Sequence, residues 1–173
     1  MSPAKRILLI GGIALAGWGM AHGLWYAVFA EHQALDGIGA SLSSAFASAA
    51  QRDGRGAKAA LDQYRQSKYA YDRQVDVHSH WIGLAMLLIV VGIGLDRVAF
   101  SERIKSLLSI GALLGSVLFP LGVLLQTVNH GNGPRVLAVL GSALVFLALA
   151  GFASGLLAIH QIRRNPGRAK TPK

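Results

Sequence analysis

The chain of 173 residues is 53% hydrophobic and only 14% charged, a balance that excludes an ordinary soluble domain. Its net charge of +9 would suit nucleic acid, yet ten of the seventeen Lys and Arg fall at Lys5 and Arg6, Arg97 to Lys105 and Arg163 to Lys173. Charges grouped in that way beside apolar runs read as cytoplasmic anchors under the positive-inside rule, so no nucleic-acid partner is expected. The absence of cysteine excludes disulfides, zinc–thiolate sites, iron–sulfur clusters and covalently attached c-type haem.

Four apolar runs of about twenty residues recur, each long enough to cross a bilayer core of roughly 30 Å as a helix. The first covers about 7–30. Its apolar part is too long for a cleaved signal peptide, so it reads as an anchor. Trp18, Gly19, His22, Trp25, Tyr26 and Phe29 recur at helical spacing on one face. His22 lies roughly 12 Å below the outer end, counting eight residues of helical rise. An imidazole at that depth serves as a ligand or proton relay, or bonds a backbone carbonyl of a neighbouring helix.

Residues 31–76 form the extracytoplasmic insertion, with six basic and six acidic residues. Ile38, Leu42 and Phe46 give a short amphipathic helix, Asp53-Gly54-Arg55-Gly56 a turn, and Leu61, Tyr64, Tyr71 and Val75 a second helix. Nothing between Lys58 and His78 would break that second helix before the next span. The spacing predicts a helical hairpin whose second arm runs on into the membrane.

The second span, 77–95, opens with Asp76-Val77-His78-Ser79-His80-Trp81. Two residues apart on a helix, His78 and His80 point to nearly opposite sides. His80 shares a face with Gly83, Leu87 and Gly94, where Gly83 leaves room for a flat macrocycle or another helix, and is preferred as the inward residue. His78 aligns with Trp81, Ile82 and Ala85. The third span, 104–128, carries Gly111 and Gly115 for close helix contact and Pro120 as a kink. Gln126 and His130 follow at its outer end, and Gly131-Asn132-Gly133-Pro134 reads as a tight turn. The fourth span, 136–159, is apolar, with Gly151 and Gly155 four apart.

The fold class expected is an all-α integral membrane protein, a four-transmembrane-helix bundle with an extracytoplasmic helical hairpin between helices 1 and 2. The positive charges place both termini in the cytoplasm, and the chain in the bacterial inner membrane.

His22, His78, His80 and His130 gather toward the outer face, which permits two cofactors. A pair of imidazoles on facing helices binds haem b, with Gly19 and Gly23 beside His22 leaving room for the ring. Three imidazoles, His22, His80 and His130, suit copper or another metal. The run Val77-His78-Ser79-His80-Trp81-Ile82-Gly83-Leu84-Ala85-Met86 resembles a V-H-[ST]-H segment of small four-helix bacterial membrane proteins. Those are similar in turn to parts of the haem–copper oxidase and nitric-oxide-reductase-like superfamily. The glycine stands one place earlier here than in that pattern, and the chain is too short for an oxidase catalytic subunit. The resemblance implies haem or copper at the histidines. The leading expectation is thus a b-type haem protein for electron transfer or small-molecule redox chemistry. Its partners would be the lipid bilayer and quinol or a membrane redox complex. The alternatives are a copper-handling protein, or a noncatalytic accessory or assembly subunit whose histidines bond only across helices. Glycine pairs on the third and fourth spans leave room for a homo-oligomer.

Overall fold

The computed structural model describes residues 1–129 and 131–164, with side chains as far as 158, and within them the ordered elements are all helical. The helices are α1 (Pro3–Phe29), α2 (Glu31–Ala50), α3 (Gly54–Gly94), α4 (Glu102–Leu125) and α5 (Asn132–Arg164), with one 3₁₀ turn at Leu95–Arg97 before α4. Four of them, α1, α3, α4 and α5, are long and apolar enough to cross a membrane.

The turn between α2 and α3 is one residue type away from expectation. No glycine among the described residues takes a positive φ, and Gly54 is already the first residue of α3. The reversal is made by Arg52, at φ 62°, past the end of α2. Its N–H donates to Ala49 O at 3.0 Å and that of Asp53 to Ser48 O at 2.9 Å. Those two bonds close a Schellman motif and satisfy the last carbonyls of α2. Asp53 then caps α3, its carboxylate accepting from Gly56 N–H at 3.0 Å. An N-cap this strong starts the helix ahead of the two glycines.

α3 runs unbroken for 41 residues, about 62 Å at helical rise. Over that length it pairs first with α2 and then, antiparallel, with α1. Tyr71 donates to Glu31 across the first seam, and Tyr26 packs on Tyr71 where α1 gives way to α2. Small residues set the closeness of the α1–α3 seam. A Cβ on Gly12 would crowd Ile89 and Ala85 O, and one on Gly92 would crowd Leu8 and Leu9. Ala4, Leu8, Val77, Trp81, Ala85 and Leu88 are buried along it. At the end of that seam near the N-terminus, Lys5 donates to Asp96.

α4 lies against both α1 and α3, and α5 packs almost wholly on α4. The α4–α5 contact is backbone to backbone. A Cβ on Gly115 would stand 2.6 Å from Gly141 O, while Gly122 abuts Ala138 and Gly141 abuts Phe119. Gly111 meets nothing, so of the expected glycine pair only Gly115 serves the seam. Ser109 and Ser116 are fully buried on α4, each donating its hydroxyl to the carbonyl four residues back. α4 runs through Pro120 as one helix and ends at Leu125, three residues short of expectation. α5 starts four residues early, because the first turn of a helix tolerates Pro134, whose missing N–H has no intrahelical partner to lose. Its far end holds the α3–α4 connection: Ala99 N–H donates to Gly155 O at 3.1 Å, and Gly155 leaves space for Val98 and Phe100.

Candidate functional site

The histidines of α1 and α3 meet where the α1–α3 seam passes Gly19 and Gly23. Nδ1–H of His78 donates to Gly19 O at 2.9 Å. Its ring fills the notch that Gly23 leaves, so closely that any Cβ at 23 would overlap it. Nε2–H of His22 donates to Oε1 of Gln74 at 3.2 Å, one turn before His78 on the same helix face. His22 also stands edge-on to Trp81, ring centroids 5.1 Å apart, and Trp18 packs edge-on to Trp81 from the other side at 6.0 Å. Two bonds and a three-ring stack therefore join the helices at this level.

His80 leaves on a different bearing. Nδ1–H donates to Asp76 O, a carbonyl of its own helix, and its ring meets Phe119 of α4 edge-on at 4.7 Å. The sequence expectation of opposite bearings for 78 and 80 thus appears as one ring toward α1 and one toward α4. His78 makes the bond to another helix. His80 lies beside Gly83, which has nothing within 4 Å of a Cβ position and is exposed. His130 lies outside the described residues. His32, in α2, pairs with Asp36 at 3.5 Å in full exposure, away from the cluster.

This geometry bears on the room for a macrocycle. The space beside Gly19 is taken by Trp81 and Ile82, and that beside Gly23 by His78. A haem held between His22 and a histidine of α3 does not fit that seam without parting α1 from α3. The face at His80 and Gly83 is open. There the bond from Nδ1 to Asp76 O fixes the tautomer and leaves Nε2 with a lone pair. Among the described residues no group of three or more His, Cys, Asp or Glu is placed to hold a metal ion.

Two polar atoms of the cluster are buried without a partner among the described residues: Nδ1 of His22 and Nε1 of Trp81. Trp81 is only 3% exposed. It also forms part of the wall of a cleft of about 590 Å³ between α1 and α4. Neither Gln74 nor this role of Trp81 is apparent from the sequence. The spacing signal is that 74, 78 and 81 share a face, but what they face is set by residues more than fifty positions earlier. No family model matches the chain, and no curated protein or solved structure matches it.

Proposed function

We propose that this chain is a four-span protein of the bacterial cytoplasmic membrane that acts as a noncatalytic accessory or assembly subunit. In this reading His22 and His78 fasten helices. The observation that carries it is the His78 bond to Gly19 O, with the ring seated in the Gly23 notch. An imidazole spent on a neighbouring backbone carbonyl, against a glycine that only it can fill, is a packing element of the seam.

The length of α3 supports the topology. At about 62 Å it is twice the thickness of a bilayer core, so one half must stand outside. The half before Asp76 carries the ion pairs Asp62–Arg65, Lys68–Asp72 and Arg73–Asp76. With α2 folded along it, this half forms an extracytoplasmic helical hairpin. The four spans present Ile13, Leu24, Ile93, Leu107, Phe146 and Leu147 outward, each more than 60% exposed, a surface for lipid rather than water. Lys5, Arg6, Arg97 and Arg103 lie at the opposite end, and so face the cytoplasm.

One observation favours a second reading. His80, beside the open space at Gly83, would hold a b-type haem in that reading. Such a haem would supply one-electron transfer. A copper site has less support, since His22 and His80 face different helices.

The test is the state of the protein after extraction in a mild detergent. The subunit reading expects a complex of fixed stoichiometry that survives His22→Ala, with no haem or copper in proportion to the chain. A strictly monomeric species, or stoichiometric metal lost in His22→Ala, would refute it.

A further inference from the structure

Charge is unevenly matched at the end of the bundle where α1 and α4 begin. Of the eight side-chain carboxylates in the chain, only Asp96 and Glu102 belong to that end. Both are taken by lysines: Lys5 donates to Asp96, and Lys105 to Glu102 at 3.3 Å. Arg6 is left exposed, with no carboxylate among the described residues paired to it. It lines a hollow of about 510 Å³ whose other walls, from Met1 and Ile7 to Ile10 and Leu113, are apolar. Gly11 and Leu113 also belong to the cleft between α1 and α4, so the two hollows meet end to end. Along α1 the shared wall advances through Arg6, Ile10, Ala14 and Trp18, one stripe at helical spacing. From Arg6 to Trp18 the rise is about 18 Å, against about 15 Å for half of a bilayer core. The groove is thus one leaflet deep and apolar, with an unpaired cation at one end. It is open on the outward side, where Ile10 is 55% and Trp18 61% exposed.

We infer that this groove binds one anionic phospholipid, its phosphate at Arg6 and an acyl chain laid past Ile10 toward Trp18. The inference rests on the membrane reading, which puts the head in the cytoplasmic leaflet. Arg6 selects the head. A guanidinium matches phosphate oxygens and pairs with them bidentately. A zwitterionic head brings an ammonium as well, and the two carboxylates that could receive it are held by Lys5 and Lys105. A head of net negative charge leaves no cation unmet. The apolar wall selects the tail. A soluble anion would use Arg6 alone, an exposed ion pair of little worth, whereas a lipid adds the length of the groove to it.

The experiment is native mass spectrometry of the full chain, recovered from membranes in mild detergent, with phosphatidylglycerol and separately with phosphatidylethanolamine of the same acyl chains. A failure of the membrane reading would appear at fractionation, before any lipid is added. One phosphatidylglycerol per chain is expected, held about fivefold tighter than phosphatidylethanolamine, the worth of one basic side chain facing an anionic lipid. Arg6→Gln should remove that preference. Arg103→Gln, which takes a cation from the same end of the bundle but not from the groove, should keep it. Ile10→Trp should fill the groove and displace the lipid, with the melting temperature in detergent unchanged because the position faces outward. Equal affinity of the wild type for the two lipids would overturn the assignment, as would an equal loss of preference in both arginine variants. So would undiminished binding to Ile10→Trp, or displacement of the lipid by an equal amount of glycerol phosphate. A lipid-free dimer that Ile10→Trp splits would also overturn it, giving the groove to a second copy of the chain.

Discussion

His78 and the glycine opposite it fasten α1 to α3. Nδ1–H of His78 reaches Gly19 O while its ring occupies the space at Gly23. Bonds between transmembrane helices of this sort contribute about 0.6–2 kcal/mol. His78→Ala should cost that much and leave a void besides. Gly23→Ala should cost about 1–3 kcal/mol, because the added methyl displaces the ring. Gly17→Ala, on the same helix with open space around it, should be near neutral. Thermal unfolding in detergent checks the order: Gly23→Ala well below wild type, Gly17→Ala close to it. Equal melting temperatures for the two would mean that the notch is not filled. Helix periodicity makes legible that 78 and 80 diverge and that 22 lies on a face with 19 and 26. It cannot say that 78 meets 19, or that Gln74 meets 22. Those pairings join residues more than fifty positions apart, and only the fold brings them together.

Among the elements, the α2–α3 turn and the α4–α5 seam show two uses of the small residues in the chain. Asp53-Gly54-Arg55-Gly56 looks like a glycine turn, yet both glycines are helical and Arg52 carries the left-handed conformation. A residue with a Cβ is strained there by roughly 1–2 kcal/mol. Arg52→Gly should therefore stabilise the pair α2 and α3, by about 1 kcal/mol once the freedom gained by the unfolded chain is counted. Slower hydrogen exchange at Asp53 N–H would report it; no change would mean the Schellman bonds do not hold the turn. In the α4–α5 seam, Gly141 approaches backbone atoms of Phe119 and Leu118, which cannot rotate aside as a side chain would. Gly141→Ala should force the helices apart and cost about 1–3 kcal/mol or more, whereas Gly111→Ala meets nothing. The Gly115 contact was readable from sequence as small-residue packing. That Gly111 stands idle was not, because the rotation of α4 against α5 is set by Gly122 and Gly141 together.

For the whole molecule, what sequence discloses best is the broad plan. Four apolar runs become four helices long and apolar enough to cross a membrane, and the charged stretch between the first two becomes α2 and the first half of α3. Span ends shift by a few residues: α5 starts early because its first turn tolerates Pro134, and α4 stops early at Leu125. The absence of cysteine permits a clean test of orientation. In intact cells Ser44→Cys in α2 should react with a membrane-impermeant thiol reagent, and Ser101→Cys in the α3–α4 connection should react only after lysis. The opposite pattern would invert the topology and the meaning of the basic clusters.

The role of His22 and His78 in the helix seam is tested most directly by the optical spectrum of the detergent-purified protein, oxidised and then reduced with dithionite, for wild type and His22→Ala. If His22 and His78 serve the helix seam, both proteins show no haem band that depends on residue 22. A Soret band that sharpens on reduction in the wild type and vanishes in His22→Ala would contradict the account, because it would put a haem in the seam that His78, Trp81 and Ile82 fill.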